Sequence, residues 1–302
     1  MCRRLKVADK PLLLNYLLSH KKRALKSKRL KENKMAEDKK ATNKFVLFFK
    51  NKTTKKILGA VLYPLCSVAL IFIVWAIAAA AINKPLLLPT PKEALTAYFA
   101  LLGGKEIWVY GGMTFLRTLE CFLISAAIAF LLSTLSAFLK PLNKILSPII
   151  TVLRAAPTLA VILLVLIWFD YSSAPVIIGF LIAFPLLYSA FYTAITGVDE
   201  NLLKMAKTFK VSKLNIVKSV YLPSISKPCL ESMRSVISLT VKVVIATEIM
   251  ALTKKSIGLL MRGANLNFDT ANLLALTLFA VILSFILEGA FTVIIKITEA
   301  VR

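Results

Sequence analysis

From Ile57 to Ile82 the chain runs 26 residues without a charged side chain. At 1.5 Å per residue this is roughly 39 Å of helix, enough to cross a hydrocarbon core of about 30 Å with tilt. Five more apolar stretches follow, at about 114–138, 147–169, 175–196, 229–252 and 271–296. Pro157 and Pro185 interrupt the third and fourth, where neighbouring helices must cover the freed backbone groups. The pattern predicts an all-α polytopic membrane protein with six transmembrane helices. It divides the chain into a polar tail, residues 1–56, and a transmembrane domain, residues 57–300.

Two of the intervals between spans carry helical patterns of their own. Thr90-Pro91-Lys92-Glu93 reads as a helix start, with a Thr cap, Pro at the first helical position and Glu three residues after the cap. Leu95, Tyr98, Phe99 and Leu102 then fall on one face, and Gly103-Gly104 end the helix. The longer interval is 197–228. Asp199 caps a predicted helix over about 200–209, and Ser212 caps a second over about 213–221, before Pro223. Leu202, Leu203, Ala206 and Phe209 make one apolar stripe; Leu214, Val217 and Tyr221 make another. Two short amphipathic helices suit either a groove on a partner protein or the bilayer surface, with lysines snorkelling into water.

Composition supports the spans, and charge assigns their sidedness. Hydrophobic residues make up 58% of the 302 positions, above the roughly 45–50% of ordinary globular domains, and mean hydropathy is +0.76. The formal charge is nonetheless +24, of which residues 1–56 hold +15 from 19 Lys/Arg and 4 Asp/Glu. With this tail inside, 29 Lys/Arg fall on the cytosolic face and 6 outside, while Arg117, Arg154, Arg234 and Lys242 lie within spans. That asymmetry obeys the positive-inside rule and places both termini in the cytosol. A basic arm also suits nucleic acid. This one lacks interleaved aromatic residues and runs straight into an apolar span, so topology explains it and no nucleic-acid partner is expected. The tail does not have the form of a signal peptide. Met35 opens a second plausible start, and residues 1–34 are expected to be dispensable.

Little in the chain promises covalent chemistry. His20 is the single histidine, and Cys2, Cys66, Cys121 and Cys229 form no metal-ligand spacing. Catalytic residues, metal ligands and cofactors are therefore not expected. No GxxxxGK[ST] phosphate loop occurs, so transport energy has to come from a separate ATPase or an ion gradient. The ionisable residues inside spans are the functional candidates, because charge at that depth faces a cavity or a partner. Arg117 with Glu120, and Glu231 with Arg234, stand three apart and suit self-neutralising pairs on one helix face. Arg154 has no local carboxylate, Lys242 and Glu248 are six apart, and Glu288 has no assignment. Glu248 falls near the outer end of its span, at a depth that water reaches. Arg154, Lys242 and Glu248 are the candidates for the translocation path or its gating.

Over residues 57–300 the chain resembles the permease subunits of ATP-binding-cassette importers, in the branch that handles nitrate, sulfonates, taurine and thiamine precursors. The resemblance rests on Leu88-Pro89-Thr90-Pro91, Thr114-Phe115-Leu116-Arg117, Leu153-Arg154-Ala155-Ala156-Pro157 and Trp168-Phe169. It continues through Val241-Lys242-Val243-Val244-Ile245-Ala246-Thr247-Glu248 and Ser256-Ile257-Gly258-Leu259-Leu260. In that family the loop between the fourth and fifth spans carries Glu-Ala-Ala, three residues, Gly and a downstream Leu-Pro. Here the register falls on Lys204-Met205-Ala206, Lys207-Thr208-Phe209 and Lys210-Val211-Ser212, with Leu222-Pro223 beyond.

The resemblance implies the six-helix architecture of the type I importer permeases. It also implies a coupling role for Leu203, Lys204, Met205, Ala206, Phe209, Lys210, Val211 and Ser212, docked in a cleft of an ABC ATPase subunit. A substrate-binding protein outside, a homodimeric pair of permeases in the lipid bilayer and alternating access complete the implied mechanism. An ion-coupled transporter or channel is the alternative. Lys204 stands where the family has Glu and Lys210 where it has Gly, which implies a more acidic partner surface and a strained or remodelled turn. Asp170 replaces a family Gly.

Overall fold

The computed structural model describes residues 52–300, so the tail up to residue 51, with the segment expected to be dispensable, lies outside the described residues. The described secondary structure is helical throughout. It comprises α1 (Lys52–Ile82), α2 (Pro91–Gly103), α3 (Lys105–Phe138), α4 (Lys140–Ala155), α5 (Thr158–Trp168) and α6 (Ala174–Thr196). Then come α7 (Glu200–Thr208), α8 (Lys213–Ile216), a π turn (Val217–Tyr221), α9 (Leu222–Ala251), α10 (Ile257–Leu266) and α11 (Thr270–Ala300). The chain divides into two units, residues 1–74 and 75–302. Of the first, only the N-terminal part of α1 is described, and Leu65, Val68, Leu70 and Ile71 all stand exposed there. An apolar helix without a polar face is what a lipid-facing span looks like.

The second unit is organised around α3, α6 and α9, with α11 packed on α9 and α2 packed on α11. Small and hydroxyl residues explain how closely these helices approach. The buried positions of α3 include Gly111, Thr114, Thr118, Cys121, Ser125, Ala126, Ala129, Ser133 and Ser136, a repeat of three or four residues. A Cβ on Gly179 of α6 would lie 2.5 Å from Cys121 Sγ and 3.2 Å from Val244 Cγ2, so only glycine lets α3, α6 and α9 meet there. Lipid tails are as apolar as leucine, so helices in a bilayer associate through this kind of packing and through polar contacts. Several buried hydroxyls are satisfied one turn back: Thr118 donates to the Thr114 carbonyl at 2.8 Å, Ser125 to Cys121 at 2.6 Å and Thr240 to Val236 at 2.8 Å.

By length and composition four described helices can cross a membrane: Leu65–Ile82, Lys105–Phe138, Ala174–Thr196 and Thr270–Ala300. The predicted third span, 147–169, is not one straight helix. It is α4 and α5, meeting at 101° around Pro157, and counting this bent pair as one span brings the total to five. Proline lacks the N–H that would continue the ladder and holds the preceding residue out of the helical region. Ala156 accordingly sits at φ −64°, ψ 131°. The predicted fifth span, 229–252, lies within α9. At 30 residues α9 is long enough to cross, but it carries Lys227, Glu231, Arg234, Lys242 and Glu248 and is more polar than the four helices above.

The short helix α2 has the predicted start. Thr90 Oγ1 accepts from Glu93 N at 3.3 Å, and Glu93 Oε2 accepts from Thr90 N at 2.8 Å. Its packed face differs from the predicted stripe, because Ala94 is the buried residue while Phe99 is 68% exposed. The loop before it is tied down by Trp75 Nε1, which donates to the Pro89 carbonyl at 3.1 Å.

Candidate functional site

The hairpin between α6 and α9 begins where the local signals place it. Asp199 Oδ1 accepts from Asn201 N at 2.8 Å to start α7, and Ser212 Oγ accepts from Asn215 N at 3.4 Å to start α8. Between them α7 closes in a Schellman motif. Val211 N donates to the Ala206 carbonyl and Lys210 N to the Lys207 carbonyl, each at 3.0 Å, with Lys210 at φ 52°. This is the position where helices most often place glycine, and a lysine there accepts left-handed strain of about 1–2 kcal/mol. The turn is thus kept and the strain accepted. Pro223 does not end the second helix, because α8 runs through the π turn into α9, where Pro223 sits in the first turn and needs no N–H partner.

The predicted coupling residues divide between two faces. Ala206 is buried and Leu203 packs on the core, so these two hold the hairpin to the bundle. Met205 is 55% exposed and Phe209 74% exposed; Val211 and Leu214 are exposed beside them. Lys204, Lys207, Lys210 and Lys213, all exposed, alternate with these apolar residues along the hairpin. Lys204 Nζ lies 3.3 Å from Glu200 Oε2, with both groups in solvent, so the pair adds little stability. It does return a carboxylate to the turn where Lys204 reverses the expected charge.

On α3, α9 and α10 the span charges form a different arrangement from the one their spacing suggests. Arg117 does not pair with Glu120; its Nη1 lies 3.1 Å from Glu248 Oε1, across 131 residues of sequence. Nor does Glu231 neutralise Arg234, whose Nε and Nη2 reach Glu288 Oε1 at 3.1 and 3.0 Å. Glu248 is fully enclosed rather than wet. It accepts from Thr114 Oγ1 at 2.9 Å and from Gly258 N at 3.3 Å, at the N-terminus of α10, where unpaired N–H groups favour an anion. Thr114 Oγ1 also accepts from Ile257 N at 3.1 Å, and Ser256 Oγ from Leu259 N at 3.0 Å. Arg117 reaches the opposite polarity as well, with Nη2 donating to the Lys254 carbonyl at 3.1 Å and Nη1 to Lys255 at 3.3 Å. One buried ion pair thus ties α3, the end of α9, the loop 252–256 and the start of α10. Leu252 and Lys255 in that loop both have left-handed backbones, at φ 53° and 51°.

Arg154 and Lys242 line two separate cavities. Arg154 Nη1 donates to Ser189 Oγ at 3.2 Å, and the surrounding space of about 630 Å³ lies among α4, α6 and α9, with Thr193, Ser224 and Ser232 on its walls. Lys242 lines a space of about 550 Å³ among α9, α10 and α11. The three predicted path residues are therefore not one constellation: Glu248 belongs to a closed packing node, and the two cations to different cavities.

With this geometry in place, the chain was compared with known proteins. A family model described as "Binding-protein-dependent transport system inner membrane component" matches residues 129–299, more than half of the chain. The chain belongs to this family. The matched region of this transport component includes the hairpin, both cavities and Glu248. A "Probable ABC transporter permease protein" of Haemophilus influenzae is 25% identical over 165 residues, 54% of this chain and 66% of that protein, so just under two thirds of the relative's length is spanned. The "Taurine transport system permease protein TauC" of Escherichia coli is 21% identical over 220 residues, 71% of this chain and 80% of that protein. Among solved structures, a chain of the methionine ABC transporter MetNI in an inward-facing conformation matches with a TM-score of 0.51. The match covers 64% of this chain and 97% of that one at 15% identity, a likeness of fold. A multi-pass, all-α membrane protein of the transporter-permease type is the common outcome.

Sequence reasoning missed Thr114 and Gly258 as partners of Glu248, although both lie inside short motifs that were singled out. It also missed the pairing of Arg234 with Glu288. Helix spacing offers each charge its neighbours on the same helix, and says nothing about which other helix will lie against it.

Proposed function

We propose that the chain is the membrane-spanning subunit of an ATP-driven importer, forming the path for a small solute of the sulfonate or taurine type. In this reading a separate ATPase supplies the energy, an extracytoplasmic binding protein delivers the solute, and two copies of the chain enclose the path. Both termini face the cytosol of a bacterial cell. The observation that carries the reading is the hairpin α7–α8: two capped helices expose Met205, Phe209 and Leu214 among exposed lysines, inside the family-matched region. Apolar side chains among lysines suit a cleft with an apolar floor and an acidic rim on the ATPase. Movement of the ATPase then reaches the spans directly, since the π turn and α9 continue the hairpin without a linker. The test is to replace Phe209 and Lys210 together with Asp in a reconstituted importer. ATP hydrolysis is expected to lose its dependence on solute-loaded binding protein, and uptake to fall to background. Uptake at the wild-type rate would overturn the docking role.

A further inference from the structure

Three of the four span cations have a partner in the structure. Arg117 meets Glu248, Arg234 meets Glu288 and Arg154 meets the Ser189 hydroxyl. Lys242 is exposed and makes no ion pair or hydrogen bond among the described residues, although it lies well within the long helix α9. An ammonium group at such depth is tolerated where it faces a polar cavity or an anion. The cavity it faces is an open groove of about 550 Å³, with Val281 and Phe285 exposed on its wall, within the range of small-molecule sites.

The walls of that cavity select for charge and shape. Its other ionisable group, Glu288, is already held by the Arg234 guanidinium, so the balance of charge is the single positive of Lys242. Ser238 stands one turn before Lys242 on the same face and also makes no hydrogen bond among the described residues, leaving two free donors side by side. Opposite them, Thr277 and Ser284 donate to carbonyls one turn back at 2.8 and 3.1 Å. A hydroxyl proton can rotate from such a carbonyl towards an anion, because the helix still supplies the carbonyl with a donor. The rest of the lining is apolar, with Ile245 on α9, Met261 on α10 and Phe285 on α11.

We propose that this cavity is a binding subsite for an organic monoanion, a sulfonate or carboxylate head on a compact apolar body. Lys242 and Ser238 hold the head, and Ile245, Met261 and Phe285 take the body. The assignment as a solute subsite rests on the permease reading above, since only a permease passes a solute along α9. One cation disfavours dianions, the apolar wall gives no advantage to nitrate, and the net positive charge opposes cationic solutes.

The test is equilibrium binding of radiolabelled butanesulfonate to the full chain in phosphatidylcholine nanodiscs. Saturable binding is expected, with unlabelled nitrate and sulfate competing at least about tenfold less well than unlabelled butanesulfonate and with butylammonium not competing. K242Q is expected to weaken binding by about tenfold or more, and K242R to stay within about threefold. Ala280→Leu fills the cavity without touching the charge and is expected to abolish binding at an unchanged melting temperature. Equal affinity of K242Q and wild type, displacement by butylammonium, or full binding in Ala280→Leu overturns the proposal. So does loss of binding when phosphatidylglycerol is added to the nanodiscs, because the site would then belong to a lipid headgroup. Binding is read without ATPase, so its failure removes the subsite alone. The docking role that carries the permease reading fails separately, if the Asp substitutions at Phe209 and Lys210 leave uptake intact.

Discussion

Gly258 is the sharpest place to perturb the buried node. A Cβ built on it falls 2.7 Å from both the Glu248 carbonyl carbon and the Ile249 nitrogen, and closer still to Glu248 Cβ. Two of these neighbours are helix backbone, which cannot rotate aside, so in Gly258→Ala the first turn of α10 has to retreat. Overpacking of this kind costs about 1–3 kcal/mol. The retreat also stretches the Gly258 N–H bond to the Glu248 carboxylate, already 3.3 Å, and the Ile257 N–H bond to Thr114, now 3.1 Å. Weakening a hydrogen bond to a charged group adds about 1.5–3 kcal/mol. The total, about 3–5 kcal/mol, corresponds to a fall in melting temperature on the order of 10 °C for a domain of this size. Cys121 and Cys229 are buried and free while Cys66 is exposed, so a thiol-reactive fluorogenic dye in detergent reports unfolding above a fixed background. Gly263→Ala is the internal control. It lies in the same helix with nothing within 4 Å of its Cβ, and is expected to melt at or slightly above wild type. If the two variants melt within about 2 °C of each other, the close approach at Gly258 is not what holds α10.

Two further predictions follow from the same geometry. Arg117→Met leaves the enclosed Glu248 without its counter-charge and is expected to cost about 3–5 kcal/mol in the same melting assay. Adding Glu248→Gln should recover part of that loss, whereas strict additivity of the two changes would show that the pair is not coupled. Lys210→Gly removes the left-handed strain at φ 52° and is expected to slow hydrogen exchange in residues 200–211 by about fivefold, equivalent to about 1 kcal/mol. Lys210→Ala, which keeps a Cβ at that φ, should exchange like wild type. Equal slowing in both would assign the effect to the lost charge.

What the sequence determined by itself is whatever rests on near neighbours. The Thr90–Glu93 capping box and the caps at Asp199 and Ser212 read correctly from a few adjacent residues. The break at Pro157 was also legible as an interruption, because a missing N–H is a local fact. Its 101° angle was not, since that depends on how α5 packs against α6 and α9. Local rules misled where a distant surface competed. Glu120 and Glu231 were the obvious partners by helix spacing, yet Arg117 and Arg234 chose Glu248 and Glu288 on other helices. Pro223 read as a stop and instead opened α9. The charges of α9 fall on a long helix, and tertiary structure accommodates them by pairing Lys227, Arg234 and Glu248 across helices. The cost of a charge inside a bilayer is set by what the other helices bring to it. The chain's own pattern therefore sets which segments are helical and which charges need a partner, and only packing decides who the partner is.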